Sequence, residues 1–211
     1  MDERMVRAAE LCERAIFNGE FEGLTAAQRE LDAVQADLAV ARGKVLHARF
    51  LDNRVEDPHE LPLFEQATEL YGALGDQRGE ANAQFWIGCF HQVVRDDVPA
   101  SIEPLTTSRD LAHKAGDDLT LSYAVRHLGI AAQISGDLDG ARTLLEESTA
   151  LRRTLGFTAG VAANLVGLIY VAIAQDRPDD ARALADEAQE LAASAGAVKV
   201  SEHIEAARSR I

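Results

Sequence analysis

The stretch KAGDDLTLSYAVRHLGIAAQISGDLDGARTLLEESTALRRTLG, Lys114–Gly156, decides the fold, because it breaks at intervals of about twenty residues and then starts again. Its ends, Lys114-Ala115-Gly116-Asp117 and Thr154-Leu155-Gly156-Phe157, match Ala73-Leu74-Gly75-Asp76 before them and Ser194-Ala195-Gly196-Ala197 after them. The glycines stand 41, 40 and 40 residues apart. A second landmark divides each interval: Arg95-Asp96-Asp97-Val98-Pro99-Ala100, Ser135-Gly136-Asp137-Leu138-Asp139-Gly140-Ala141 and Gln175-Asp176-Arg177-Pro178-Asp179-Asp180-Ala181. Glycine closes a helix in the left-handed conformation, and the Asp or Pro that follows opens the next by capping or by presetting φ. Each unit of about forty residues therefore holds two helices.

Between the breaks the apolar residues keep helical spacing. Leu144, Leu145, Ser148, Leu151 and Leu155 form one stripe, and Leu165, Leu168, Ile169 and Ala172 another. Neither stripe buries itself alone, so neighbouring hairpins must stack. Val and Ile are dispersed among Ala, Glu, Arg and Leu, and strand signals are weak. The chain is predicted to be all-α, a single repeat domain over residues 1–211.

The best-formed unit, Leu128-Gly129 with Ala132, Ala141, Leu145 and Ser148, resembles the tetratricopeptide repeats. Ile87-Gly88 with His91 and Ala100 fits the unit before it. Leu168-Ile169 with Ala172, Ala181, Ala185 and Ala188 fits the unit after it, with Ile169 where the family has a small residue. An earlier unit is read in Leu11-Cys12, Ala15 and Asn18 to Leu24, and the most degenerate one from Val40 to Leu74. The resemblance implies a right-handed α-α superhelix of about five helical hairpins closed by a capping helix near Val198 to Arg210. The phrases Leu-Arg-Arg-Thr-Leu-Gly and Gly-Asp-Leu-Asp-Gly-Ala-Arg also resemble the longer repeats of helical sensor arms in actinobacterial signalling ATPases and transcription activators. Pro58 with Pro62, and Pro99 with Pro104, fall near the start of second helices, and since proline is tolerated only in a first turn those helices either start late, near Leu61 and Glu103, which is the favoured expectation, or are kinked.

In the family, the first helices of the hairpins line a concave groove. Carried onto this chain, the groove positions are Arg42, Val45, Arg49, Asp52 and Asn53, then Asn82, Phe85, Trp86, Cys89 and Gln92, then Tyr123, Arg126, His127, Ile130 and Gln133, and finally Tyr170. Arg42, Arg49 and Arg126 would all point into that groove, where an acidic protein or peptide segment fits. Aromatics and arginine also dominate binding energy wherever they contact a ligand. Packing of Phe85 and Trp86 between helices, and pairing of the arginines with nearby carboxylates, are the competing expectations. The family's clamp for a terminal carboxylate is not expected, because Val45 and Phe85 stand where it needs polar donors.

Composition narrows the alternatives. A formal charge of −14 with scattered Lys and Arg argues against nucleic acid, whose affinity rests on clustered cations. No apolar run reaches bilayer length, the N-terminus is no signal peptide, and only Cys12 and Cys89 are present, so a cytoplasmic protein without a disulfide framework, metal or other cofactor is expected. None of the six histidines forms an H-E-x-x-H pair, no phosphate-binding G-x-x-x-x-G-K loop exists, and Asp137-Leu138-Asp139-Gly140 is only part of a calcium loop. His47 and His91 read as core histidines. Cys89 would be a nucleophile only with His127 or His91 beside it. Glu146-Glu147, Asp179-Asp180 and Glu187 to Glu190 read as solvated faces. The leading expectation is a non-enzymatic interaction scaffold with a regulatory or assembly role. The alternative is a sensing domain that binds a small molecule or peptide near Trp86, Tyr123 and His127. Oligomeric state stays open, and the Ala-rich stretch Ala181 to Ala197 fits either a dimer contact or a cap.

Overall fold

A computed structural model describes all 211 residues. It contains ten α-helices and no strand: α1 (Glu3–Asn18), α2 (Leu24–Asn53), α3 (Glu60–Leu74), α4 (Gln77–Cys89), α5 (Val98–Ala115), α6 (Asp118–Ile134), α7 (Leu138–Thr154), α8 (Thr158–Ala174), α9 (Pro178–Ser194) and α10 (Val198–Arg208). The punctuation works as its chemistry requires. The side chains of Asp76, Asp97, Asp117 and Asp137 each accept the backbone N–H three residues on, at 3.0, 3.0, 3.2 and 2.9 Å. Gly116 closes α5 at φ 62°, a conformation that Asp96 and Asp176 adopt in the equivalent turns without the help of glycine.

Two expectations change. The second helix of the first unit and the first helix of the second are one continuous helix, α2, 30 residues long. No proline stands between Leu24 and Asn53, and the one glycine, Gly43, serves packing: a Cβ there would lie 2.4 Å from the Phe64 ring. The late start holds for α3, which begins at Glu60, but not for α5. That helix begins at Val98, capped by Asp97 with Pro99 in its first turn, and Pro104 lies inside it. The cap wins because Pro104 forfeits only one hydrogen bond, whereas a delayed start would forfeit the whole first turn.

Every helix packs on the next in the chain. In addition α2, α4, α6, α8 and α10 touch one another in series, while α3, α5, α7 and α9 have at most marginal contact among themselves. The even-numbered helices are thus drawn together and the odd-numbered ones splayed, so the even-numbered layer forms the inner face. Small residues let the layers approach: Ala81, Ala112, Ala141, Ala162, Ala181, Ala185 and Ala188 are all fully buried. At the α4–α5 crossing, a Cβ on Gly88 would meet Leu105 Cγ at 2.5 Å, whereas nothing lies within 4 Å of one on Gly72 in α3. Gly88→Ala should cost about 1–3 kcal/mol by overpacking, and Gly72→Ala should add about 0.5–1 kcal/mol by helix propensity. Urea unfolding of the two variants checks the contrast, and equal midpoints would refute this account of the crossing.

Candidate functional site

The inner face is built around Trp86 on α4. Its indole stacks on Phe64 (centroids 5.7 Å, 18° between planes) and meets His47 and Phe85 edge-on at 5.2 and 5.1 Å. The Lys44 ammonium lies over it at 5.4 Å, a cation–π contact, and burial holds the Lys44 amine below the usual lysine range. The buried indole Nε1–H has no partner within the protein. Behind Trp86, His47 Nδ1 lies 2.8 Å from Glu60 Oε1, and Glu60 is 0% exposed with its second oxygen unpartnered. Burial pushes the Glu60 carboxyl up, against the pull of His47. The histidine beside Cys89 is therefore His47, with Sγ to Nε2 at 3.7 Å, and not His127 or His91. Burial lifts the Cys89 thiol to about 12, so it stays protonated and poorly nucleophilic at neutral pH.

On α6 the pattern continues. His127 is buried, edge-on to Phe85 at 5.3 Å, and locked to Gln92, whose amide donates to the His127 carbonyl at 3.0 Å. Gln92 Oε1 can only accept, so the 2.6 Å contact places a proton on His127 Nδ1. Burial, with Arg126, Arg152 and His47 nearby, holds the imidazole well below its usual pKa, and it is neutral. Tyr123 tilts against Phe85 at 5.3 Å and Phe157 at 6.1 Å.

Arg152 enters this face from α7 and is only 2% exposed. Its guanidinium lies 4.7 Å over Tyr123 and 5.5 Å from Phe157. Nη1 donates to the Gly160 carbonyl and to Asn164 Oδ1, both at 2.9 Å, and Nε donates to Ser122 Oγ at 3.3 Å. Asn164 in turn donates to Ser148 Oγ at 2.8 Å, and Ser148 to the Ser122 carbonyl at 2.6 Å. No carboxylate forms an ion pair with Arg152, and its Nη2 is buried without a partner. Burial, reinforced by Arg126, pushes Arg152 down to about 10. Arg126 repeats the pattern: its Nε is buried and unpartnered, it forms no ion pair, and burial lowers its pKa as well.

The structure thus brings together Trp86, Tyr123, Arg126 and His127 of the groove positions, with Asn82, Ile130 and Gln133 half-buried on the same two helices. Phe85 and Gln92 are buried behind them, as core and as the anchor of His127. Arg42 and Arg49 do not join this group. At 3.6 residues per turn they lie on the far side of α2 from Lys44, and with Val45, Asp57, His59 and Leu63 they line a separate open cavity of about 570 Å³ against α3. Asp52 and Asn53 are exposed at the end of α2. Tyr170 stands apart, half-buried under Arg210 at 5.4 Å. A further cavity, about 280 Å³ between α7, α8 and α9, is lined by charges of both signs, among them Arg142, Glu146, Arg177 and Glu187.

Sequence reasoning passes over Lys44 and Arg152. The signal for Arg152 is a set of small polar residues, Ser122, Ser148 and Asn164, at positions that otherwise belong to apolar stripes.

No family model matches the chain, and no curated protein does. Among solved structures it is similar to the crystal structure of BtubC (BKLC) from P. vanneervenii, at 16% identity and a TM-score of 0.53, covering 92% of this chain and 90% of that one. At this identity the likeness concerns the fold. No helix is long and apolar enough to cross a membrane.

Proposed function

We propose that the chain is a non-enzymatic interaction scaffold, a right-handed tetratricopeptide-like superhelix whose inner face grips an acidic segment of a partner protein in a regulatory or assembly role. One observation carries this reading. Arg126 and Arg152 form no ion pair and each keeps a buried guanidinium nitrogen without a partner, and Lys44 lies unpaired over Trp86, in a chain with 35 carboxylates, whereas other unpaired arginines such as Arg42 and Arg49 are exposed to water. Repeat arrays bind along their concave layer, and half-buried Trp86, Tyr123 and Arg126 there are of the types that anchor interfaces. The protonated Cys89 thiol and the neutral, tethered His127 speak against nucleophilic catalysis on this face.

A photocrosslinking residue placed at Asn82 or Ile130, on the inner face, should yield a discrete protein adduct in cells, and one at Glu65, on the outer side of α3, should not. Equal labelling at all three positions would overturn the reading. A saturable rise in melting temperature with a free metabolite, and no adduct, would favour the sensing alternative.

A further inference from the structure

Helix α2 is 30 residues long and carries on its solvent side a row of apolar side chains that the rest of the chain leaves about half exposed. Leu24, Leu31, Leu38 and Val45 are 40, 41, 46 and 53% exposed, and each stands two helical turns from the last. No later helix exposes more than two large apolar side chains. Four residues after each comes a longer polar one, Gln28, Gln35, Arg42 and Arg49, all exposed, so apolar and polar side chains alternate along one face. Toward α3 this strip is bordered by two hollows: one of about 480 Å³ at Leu24 and Gln28 beside Leu74, and the 570 Å³ cavity at Val45 and Arg49 beside Leu63. A repeat of seven on a long, water-facing helix is the pattern by which one helix recognises another along its length. The strip faces away from Lys44 and Trp86, so it is separate from the inner face and independent of the acidic-segment reading.

We infer that this strip pairs with the same strip of a second copy of the chain, antiparallel, in a weak homodimer. The strip is complementary to itself under one symmetry. A twofold axis crossing α2 between Val34 and Gln35 sets Leu31 against the partner's Leu38 and Leu24 against the partner's Val45, so every apolar member meets an apolar mate. A foreign helix would have to reproduce this spacing, which the chain itself supplies. Charge selects the direction. A parallel pair sets Arg42 on the partner's Arg42 and Arg49 on the partner's Arg49, like on like. The antiparallel pair moves Arg42 level with the partner's Gln28, and Arg49 level with the acidic start of the partner's helix, where Glu22 is exposed. The two copies overlap from Glu20 to Arg49, about 45 Å at a rise of about 1.5 Å per residue. With a contact about 12 Å wide, that is about 1,100 Å² over both copies, the lower limit for a specific interface. Polar residues at alternate seam positions weaken such a pair while fixing its register, so the dimer is reversible, with a micromolar Kd.

Sedimentation velocity of the whole chain between about 1 and 500 μM tests the pairing, and over that range the wild type should pass from monomer to dimer. Leu31→Glu, which places a carboxylate in the centre of the strip, should weaken dimerisation about thirtyfold or more. Gln35 is exposed, so Gln35→Lys leaves the fold alone; it sets two ammonium groups together at the axis and should weaken the dimer about tenfold, with part of the loss recovered at high salt. Circular dichroism melting confirms that both variants fold. Direction is read by disulfide trapping in a Cys12→Ser background, where the remaining Cys89 is buried. Gln35→Cys should link to itself, whereas Leu31→Cys should not, and should link to Leu38→Cys when the two are mixed, because only the antiparallel register brings those positions within disulfide reach. Self-linking of Leu31→Cys would overturn the antiparallel register. A chain that stays monomeric at the highest concentration, including one whose strip captures only a different protein, would overturn the dimer, and so would a dimer unchanged by Leu31→Glu and Gln35→Lys. The photocrosslinked adducts at Asn82 and Ile130 are read on the opposite side of the molecule, so the two readings stand or fall separately.

Discussion

Replacing Asn164 by Leu is expected to destabilise the protein by about 3 kcal/mol, although Leu has the same branching and the same number of side-chain heavy atoms and the site is fully buried. Asn164 Oδ1 accepts from Arg152 Nη1, and its amide donates to Ser148 Oγ, which donates on to the Ser122 carbonyl. Leu keeps the branched shape, with bulkier methyl groups, and deletes both bonds. The guanidinium is then left with the Gly160 carbonyl, a 3.3 Å contact to Ser122 and a Tyr123 face, too little for a charge that is 2% exposed. Combining Asn164→Leu with Arg152→Met should recover most of the loss, because the charge that needed the acceptor is gone; the difference between single and double substitutions is the coupling energy. In a stack whose members touch only their neighbours, the damage should also stay local. Amide hydrogen exchange should accelerate in α6, α7 and α8 and stay unchanged in α1. A loss below about 1 kcal/mol, or a double variant no better than the single one, would show that the network is incidental.

How much of this was legible from residues alone depends on which physical effect dominates at each place. Turn chemistry is local, so Gly116-Asp117 and Gly136-Asp137 announce their own breaks, and the helices from α6 onward fall where the spacing puts them. The merging of two helices into α2 is a negative signal: no residue near Gln35 stops a helix, and the repeat register alone suggests a turn there. Pro104 is the opposite case, a local breaker overruled by the Asp97 cap and by the close approach of Leu105 to Gly88. Helix face is harder to read than helix extent. A two-residue change of register on α2 exchanges Arg42 for Lys44 on the inner face, and the burial of Val40, Gly43, His47 and Phe50 sets the rotation. Arg152 was hidden because a charged residue on a second helix ordinarily faces solvent. Its burial depends on three small polar residues drawn from α6, α7 and α8, a long-range coincidence no single periodicity reveals.

Trp86 tests whether the aromatic inner face is structure, binding surface or both. Trp86→Ala should cost about 3 kcal/mol, because it removes the stack on Phe64 and the edge contacts with His47 and Phe85 that tie α2, α3 and α4 together. The side chain is only partly buried, which keeps the cost toward the lower end for a large aromatic. Trp86→Phe keeps much of the stack and should cost only about 1 kcal/mol, yet it deletes the buried Nε1–H, which has no partner in the protein. That separates the two roles. A ligand on the inner face that uses the indole N–H should bind Trp86→Phe more weakly while the variant's urea midpoint stays near wild type, and a ring that only packs should give unchanged affinity. Hydrogen exchange in Trp86→Ala should accelerate in α2, α3 and α4 and leave α9 and α10 as they were, since the C-terminal core from Ala141 to Ala207 is built without it. Uniform acceleration along the whole chain would mean that the helices unfold as one unit and that the nearest-neighbour picture of this stack is wrong.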